Sequence, residues 1–156
     1  MTTLKDMPAV VTGAGRGIGR AIAERLARSG ASVTLLARTR SDIDAVAAVI
    51  GARGERAFAV AADVTDPQSV EAALNAARER FGPIRILVNN AGTPGPYGPI
   101  GVADPHEWWA SQKLHQFAPL LLMSGVIPGM QAAGGGRIIN IVSSAATVPI
   151  AHLSAY

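Results

Sequence analysis

Short apolar runs alternate along the chain with longer stretches in which apolar residues recur every three or four positions. Ala9–Val11 precedes such a stretch over Ile18–Ser29, Ser32–Leu36 precedes Ser41–Ala52, and Ala57–Ala61 precedes Pro67–Phe81. Ile84–Val88 then precedes Pro105–Met130, and Ile138–Val142 closes the series. The long stretches carry the period of an amphipathic helix. The short runs are apolar at successive positions, as strands are when helices cover both faces of their sheet. Five strands separated by helices predict an α/β fold, a doubly wound parallel sheet with right-handed crossovers.

Polar and breaker residues punctuate the same pattern. Asp66-Pro67 and Asp104-Pro105 each offer an N-cap acid followed by proline at the first helical position, and Glu107 completes a capping box with Asp104. The proline- and glycine-rich segment Thr93–Pro99 follows the fourth strand. In an open parallel sheet ligands bind beyond the carboxyl ends of the strands, so this loop is expected at a binding edge. Pro119 falls inside the longest helical stretch. Having no N–H, it predicts a kink and a free carbonyl on His115, four residues earlier.

Composition narrows the class. The chain has 156 residues, 49% of them hydrophobic, and no cysteine. One domain over 1–156 with a substantial core is expected, without disulfides or thiolate metal sites. The net charge of +3 arises from twelve arginines against two lysines, scattered and not clustered, which argues against a nucleic-acid partner. No apolar run approaches the roughly 20 residues of a membrane span, and Met1–Asp6 lacks the plan of a secretory leader. No membrane association and a cytoplasmic location are expected.

The candidate chemistry begins in Thr12-Gly13-Ala14-Gly15-Arg16-Gly17-Ile18-Gly19, between the first strand and the first helix. Glycines let the backbone turn tightly and approach a ligand, while the helix start offers unpaired N–H groups and a positive dipole end to an anion. The turn lacks the Gly-Lys-Ser/Thr ending of a triphosphate loop and does not satisfy G-x-G-x-x-G. It satisfies Thr-Gly-x-x-x-Gly-Ile-Gly.

Further blocks follow in order: Asp63-Val64 after the third strand, Asn89-Asn90-Ala91-Gly92 at the end of the fourth, and Ser143 and Tyr156 thirteen positions apart. With these, the whole chain resembles the short-chain dehydrogenase/reductase family. The resemblance implies a Rossmann-like sheet in the order 3-2-1-4-5, truncated after five strands. It also implies a cofactor site at Gly13, Arg16, Gly17, Ile18, Gly19, Arg38, Asp63, Val64, Asn89, Ala91, Gly92 and Tyr156. Within that site Asn89 serves either the ligand or the neighbouring strand. Hydride would pass between a nicotinamide and a small carbonyl or alcohol, with Ser143 holding the substrate oxygen and Tyr156 as general acid–base.

An NAD site wants an acid near the end of the second strand to accept the ribose hydroxyls, whereas arginine clamps a 2′-phosphate. Ala37-Arg38 stands there, with Arg16 in the glycine turn, so NADP(H) is expected over NAD(H). Two departures qualify the catalytic reading. The family lysine four residues after the tyrosine has no counterpart up to Tyr156, and neither Lys5 nor Lys113 matches that motif. His115 stands where the family has an asparagine, thirteen residues before Pro128, and is expected as a substituted relay residue whose carbonyl holds a water.

The missing strands and open sheet edge lead us to expect a homo-oligomer or completion by a further polypeptide segment, with this chain inactive alone. The alternative is a catalytically dead dinucleotide-binding or interaction module. A methyltransferase or nucleotide-sugar enzyme would share the turn but not the Ser143–Tyr156 pair.

Overall fold

A computed structural model describes residues 4–156. Five strands, β1 (Pro8–Thr12), β2 (Ser32–Ala37), β3 (Ala57–Ala61), β4 (Ile86–Asn89) and β5 (Arg137–Asn140), form one sheet in the order β3-β2-β1-β4-β5. All four pairings are parallel, with Val10 opposite Thr34 and Leu87, and Asn89 opposite Asn140. Between β1 and β4 lie helices α1 (Gly17–Arg28), α2 (Arg40–Gly51) and α3 (Pro67–Phe81). The predicted fold class and strand order are both present.

The unbroken apolar runs are explained by burial on both sides. Every residue of β1 and β4 is buried. Val11, Val33 and Leu35 face a layer made by Ala23, Ala27, Ile43 and Ile50 of α1 and α2. Val10, Leu36 and Leu87 face Val70, Leu74, Leu122 and Val126 on the opposite side. Each fully buried Val, Leu or Ile contributes about 1.5–3 kcal/mol, so these two layers supply the main stabilisation.

The long helical stretch differs from its prediction. It divides into α4 (Pro105–Gln112), a π-helical turn over Lys113–Phe117, and α5 (Ala118–Ala132). Pro119 can donate to no carbonyl. The turn before it widens, so that the Ala118 N–H reaches back five residues to the Lys113 carbonyl. Proline thus produces a wide turn that carries His115, in place of a simple kink.

Asp66 and Asp104 both cap as expected, the first accepting from the Gln68 and Ser69 N–H groups and the second from His106. Glu107 makes no return bond to Asp104. β5 begins one residue earlier than the apolar run and ends at Asn140, where pairing with β4 ends. Ile139, Ile141 and Val142 are exposed along that edge. No helix among the described residues is long and apolar enough to cross a membrane.

Candidate cofactor cleft and catalytic residues

The carboxyl ends of β1 and β4 are tied together by one hydroxyl. Thr12, almost fully buried, donates from Oγ1 to the Val88 carbonyl (3.4 Å) and accepts from the N–H groups of Asn90 (2.9 Å) and Ala91 (3.0 Å). Asn90 answers from its side chain, with Nδ2 donating to the Thr12 carbonyl at 2.9 Å. The glycine turn is therefore latched to the Asn89–Gly92 segment on the same edge of the sheet.

Two glycines are required by that close approach. Gly13 has φ +62°, and a Cβ there would lie 2.9 Å from Asn90 Nδ2. A Cβ on Gly19 would run into the Gly13 carbonyl oxygen and Asn90 Nδ2. The turn folds flat onto the start of α1, leaving no room for side chains between them.

The start of α1 is open, unlike those of α3 and α4. Arg16 occupies its N-cap position in extended conformation, makes no capping bond, and is followed by no acid in the first turn. By contrast α3 and α4 are each closed by an aspartate. Unsatisfied N–H groups at the start of α1 face a cleft of about 1040 Å³, whose lining includes Gly13, Gly17, Arg38, Asp63, Asn90 and Gly92. This cradle, whose helix start carries no capping side chain and no acid in its first turn, fits a dinucleotide pyrophosphate.

Charge along the cleft is uneven. Arg16 and Arg38 are exposed in its wall, and their side chains make no hydrogen bond or ion pair with described residues. Most other arginines are engaged: Arg20, Arg28 and Arg53 converge on Glu24, Arg40 closes on Asp44, and Arg56 on Asp6. Asp63 sits further along the wall. Its Oδ1 accepts the Thr65 N–H (2.9 Å) and hydroxyl (2.7 Å), and these bonds, aided by the Arg38 charge, hold the carboxyl below its ordinary range. Asp63 is thereby kept ionised and fixed in orientation.

The expected site residues are not all brought together. Gly13, Arg16, Gly17, Ile18, Arg38, Asp63, Val64, Ala91 and Gly92 line one cleft, and Gly19 lies beneath the turn. Asn89 does not line it. Its Nδ2 donates to Asn140 Oδ1 at 2.8 Å across the β4–β5 pair, inside the sheet. The adjacent Asn90, which sequence reasoning passed over, lines the cleft and latches the turn. The signal was available, because successive residues of a strand point to opposite faces and only one of two adjacent asparagines can face the turn.

His115 and Tyr156 meet. Their rings stand edge to face with centroids 5.5 Å apart. His115 Nε2 lies 2.6 Å from the Thr93 carbonyl, to which a protonated Nε2 donates. Tyr156 is brought there by its predecessor: the Ala155 carbonyl accepts from Ser111 Oγ (3.1 Å) and Gln112 Nε2 (2.8 Å) of α4. No sequence pattern signals this docking. Ser143 caps a short 3-10 turn over Ser144–Ala146, its Oγ accepting the Ala145 N–H at 3.2 Å, and has no hydrogen bond to Tyr156 or His115.

A parallel sheet in this order, with an open glycine-rich helix start at its carboxyl edge, is an architecture found in nucleotide-binding α/β proteins. The chain belongs to the short-chain dehydrogenase family, whose model matches residues 8–156. It is 41% identical over 142 residues to the short-chain reductase protein NovJ of Streptomyces niveus, covering 91% of this chain and 54% of that protein. It is 36% identical to an uncharacterized oxidoreductase of Mycobacterium tuberculosis, covering 100% of this chain and 59% of the other. Among solved structures, a metagenomic short-chain oxidoreductase in complex with NADP superposes with a TM-score of 0.94 at 40% identity, over 99% of this chain and 70% of that one. The chain spans between half and three fifths of the length of these curated relatives.

Proposed function

We propose that the chain forms the cofactor-binding part, with some of the catalytic residues, of an oxidoreductase that moves hydride between NADP(H) and a carbonyl or alcohol. The observation that carries this reading is the uncapped start of α1, latched beside β4, with two unpaired arginines in the same cleft wall. The relative solved with NADP supports the choice of dinucleotide. A nicotinamide cofactor supplies the hydride acceptor or donor. Gly13, Gly17, Ile18 and the α1 N–H groups would hold its pyrophosphate, and Arg16 and Arg38 its 2′-phosphate. Asp63 and Val64 would hold the adenine, and Ala91 and Gly92 the middle of the cofactor.

Tyr156 would exchange the substrate proton and Ser143 would orient the oxygen, while His115 anchors the Thr93 carbonyl beside them. Since Pro119 cannot donate to the His115 carbonyl, that oxygen would hold a relay water. The apolar β5 edge and the exposed Leu120 and Ile127 of α5 would be covered by further polypeptide, from a second copy or additional chain.

The test is a titration with NADPH and NADH, read by protein fluorescence, on the wild type and on Arg38→Asp. Tighter binding of NADPH by the wild type, reversed in the variant, supports the reading. An unchanged ratio removes the role of Arg38. The second reading, a binding module without catalysis, is favoured by one observation, the absence of any bond joining Ser143 to Tyr156. Cofactor binding without reduction of any member of a carbonyl panel would establish it.

A further inference from the structure

Two carboxylates in the cleft wall, Asp42 and Glu107, have no side-chain partner among the described residues, and Asp42 is the one beside the glycine turn. Asp42 lies in the first turn of α2, exposed, and lines the cleft together with Arg16 and Arg38. It sits against the glycine turn itself: a Cβ built on Gly15 would lie 2.8 Å from Asp42 Cβ and 3.6 Å from its Oδ2. Position 15 lacks a side chain where Asp42 fills the space. The neighbouring acids are committed. Asp44 takes both of its bonds from Arg40 Nε, at 2.8 and 2.9 Å, and Asp63 is held by Thr65. The side chain of Asp42 has no hydrogen bond or ion pair with any described residue, and those of Arg16 and Arg38 have none either.

We propose that Asp42 is a specificity-determining residue that restrains the preference for NADP(H). The inference rests on the cofactor reading above. A 2′-phosphate brought between Arg16 and Arg38 gains two cations but approaches the carboxylate of Asp42, whose Cβ lies against the same turn, and like charges in one wall repel. A 2′-hydroxyl meets no such repulsion. The two arginines therefore favour NADP(H) while Asp42 keeps NAD(H) admissible, and the measured preference is the difference between them.

A purely structural role is the competing account, since an acid in the first turn stabilises a helix through its dipole, and Thr39 gives α2 no side-chain cap. The two accounts separate in one experiment. Dissociation constants for NADPH and NADH are measured on wild type and Asp42→Asn at low and high salt, with thermal stability recorded alongside. Asparagine keeps the shape and removes the charge at an exposed position.

The expected result is NADPH binding about threefold to tenfold tighter in the variant at low salt, NADH changing less than about twofold, and the gain shrinking as salt rises. A ratio of the two constants that stays unchanged overturns the proposal, whatever happens to stability. Failure of the folded wild type to bind either dinucleotide is a different outcome. It overturns the cofactor reading, and the role of Asp42 falls with it.

Discussion

The glycine turn and the segment ending at Tyr156 are both built at the carboxyl edge of the sheet, but they are held differently. The turn is fixed from beneath by neighbouring strands, with Thr12 joining the ends of β1 and β4 through buried bonds. Tyr156 is held through the Ala155 carbonyl, its own N–H to the Leu153 carbonyl and an edge contact with His115, and the residue stays 48% exposed. A binding edge that the central strands complete by themselves can be formed without the rest of the site. The proton-handling groups depend on contacts from α4 and from whatever lies over them.

The largest effect should come from breaking the latch. Thr12→Val keeps the shape and removes the hydroxyl, leaving the N–H groups of Asn90 and Ala91 without their acceptor. A loss of about 1–3 kcal/mol in urea unfolding is expected, since an orphaned buried donor costs about 1–3 kcal/mol and these two N–H groups are only partly buried. Cofactor affinity should fall with it. A variant as stable as wild type would show that the two strand ends hold their geometry without this bond.

Next in size is the charge at the ribose end. Arg38→Asp should move the NADPH-to-NADH preference toward NADH by tenfold or more, on the order of 1.4 kcal/mol, by replacing an attractive charge with a repulsive one. Asp63, in the same cleft wall, should then lose the cation that helps hold its carboxyl low, and titrate at higher pH. NMR titration of the Asp63 carboxyl would read that change.

Acid should act through Glu24. Glu24 is held below the ordinary carboxylate range, first by its bond from Arg20 and then by the charges of Arg20, Arg53 and Arg28. A depressed folded value means the stabilisation is present above the unfolded carboxylate pKa and is lost as pH falls through the lower one. Stability should therefore fall below the ordinary carboxylate range, and Glu24→Gln should flatten that slope. Denaturation midpoints measured across acid pH would check it. An identical slope in the variant would remove Glu24 from the explanation.

The smallest effect belongs to the catalytic end. Ser143→Ala should change unfolding free energy by no more than about 0.5 kcal/mol, because its hydroxyl only caps a short exposed turn. A loss comparable to that of Thr12→Val would erase the contrast between the two regions.

The same contrast explains what could be seen in the chain beforehand. Strands and helices were legible because apolar runs and helical periods encode burial directly, and the cleft because glycine turns and a parallel topology place ligands predictably. The π turn was not, since Pro119 signals a missing donor but not how the preceding turn closes. Asn89 takes the strand role, one of the two left open for it, while Asn90, given no role beforehand, lines the cleft. Asp42 and the docking of Ala155 onto Ser111 and Gln112 arise from contacts between distant segments that no local pattern carries.

The central claim is that the open start of α1 and its latched turn make a dinucleotide site. Calorimetric titration of the folded wild-type protein with NADPH tests it most directly, with NADH as the comparison. Saturable binding of both, tighter for NADPH and weakened by Gly19→Ala, is the predicted result. A folded protein that binds neither, or binds both equally well after Gly19→Ala, would contradict it.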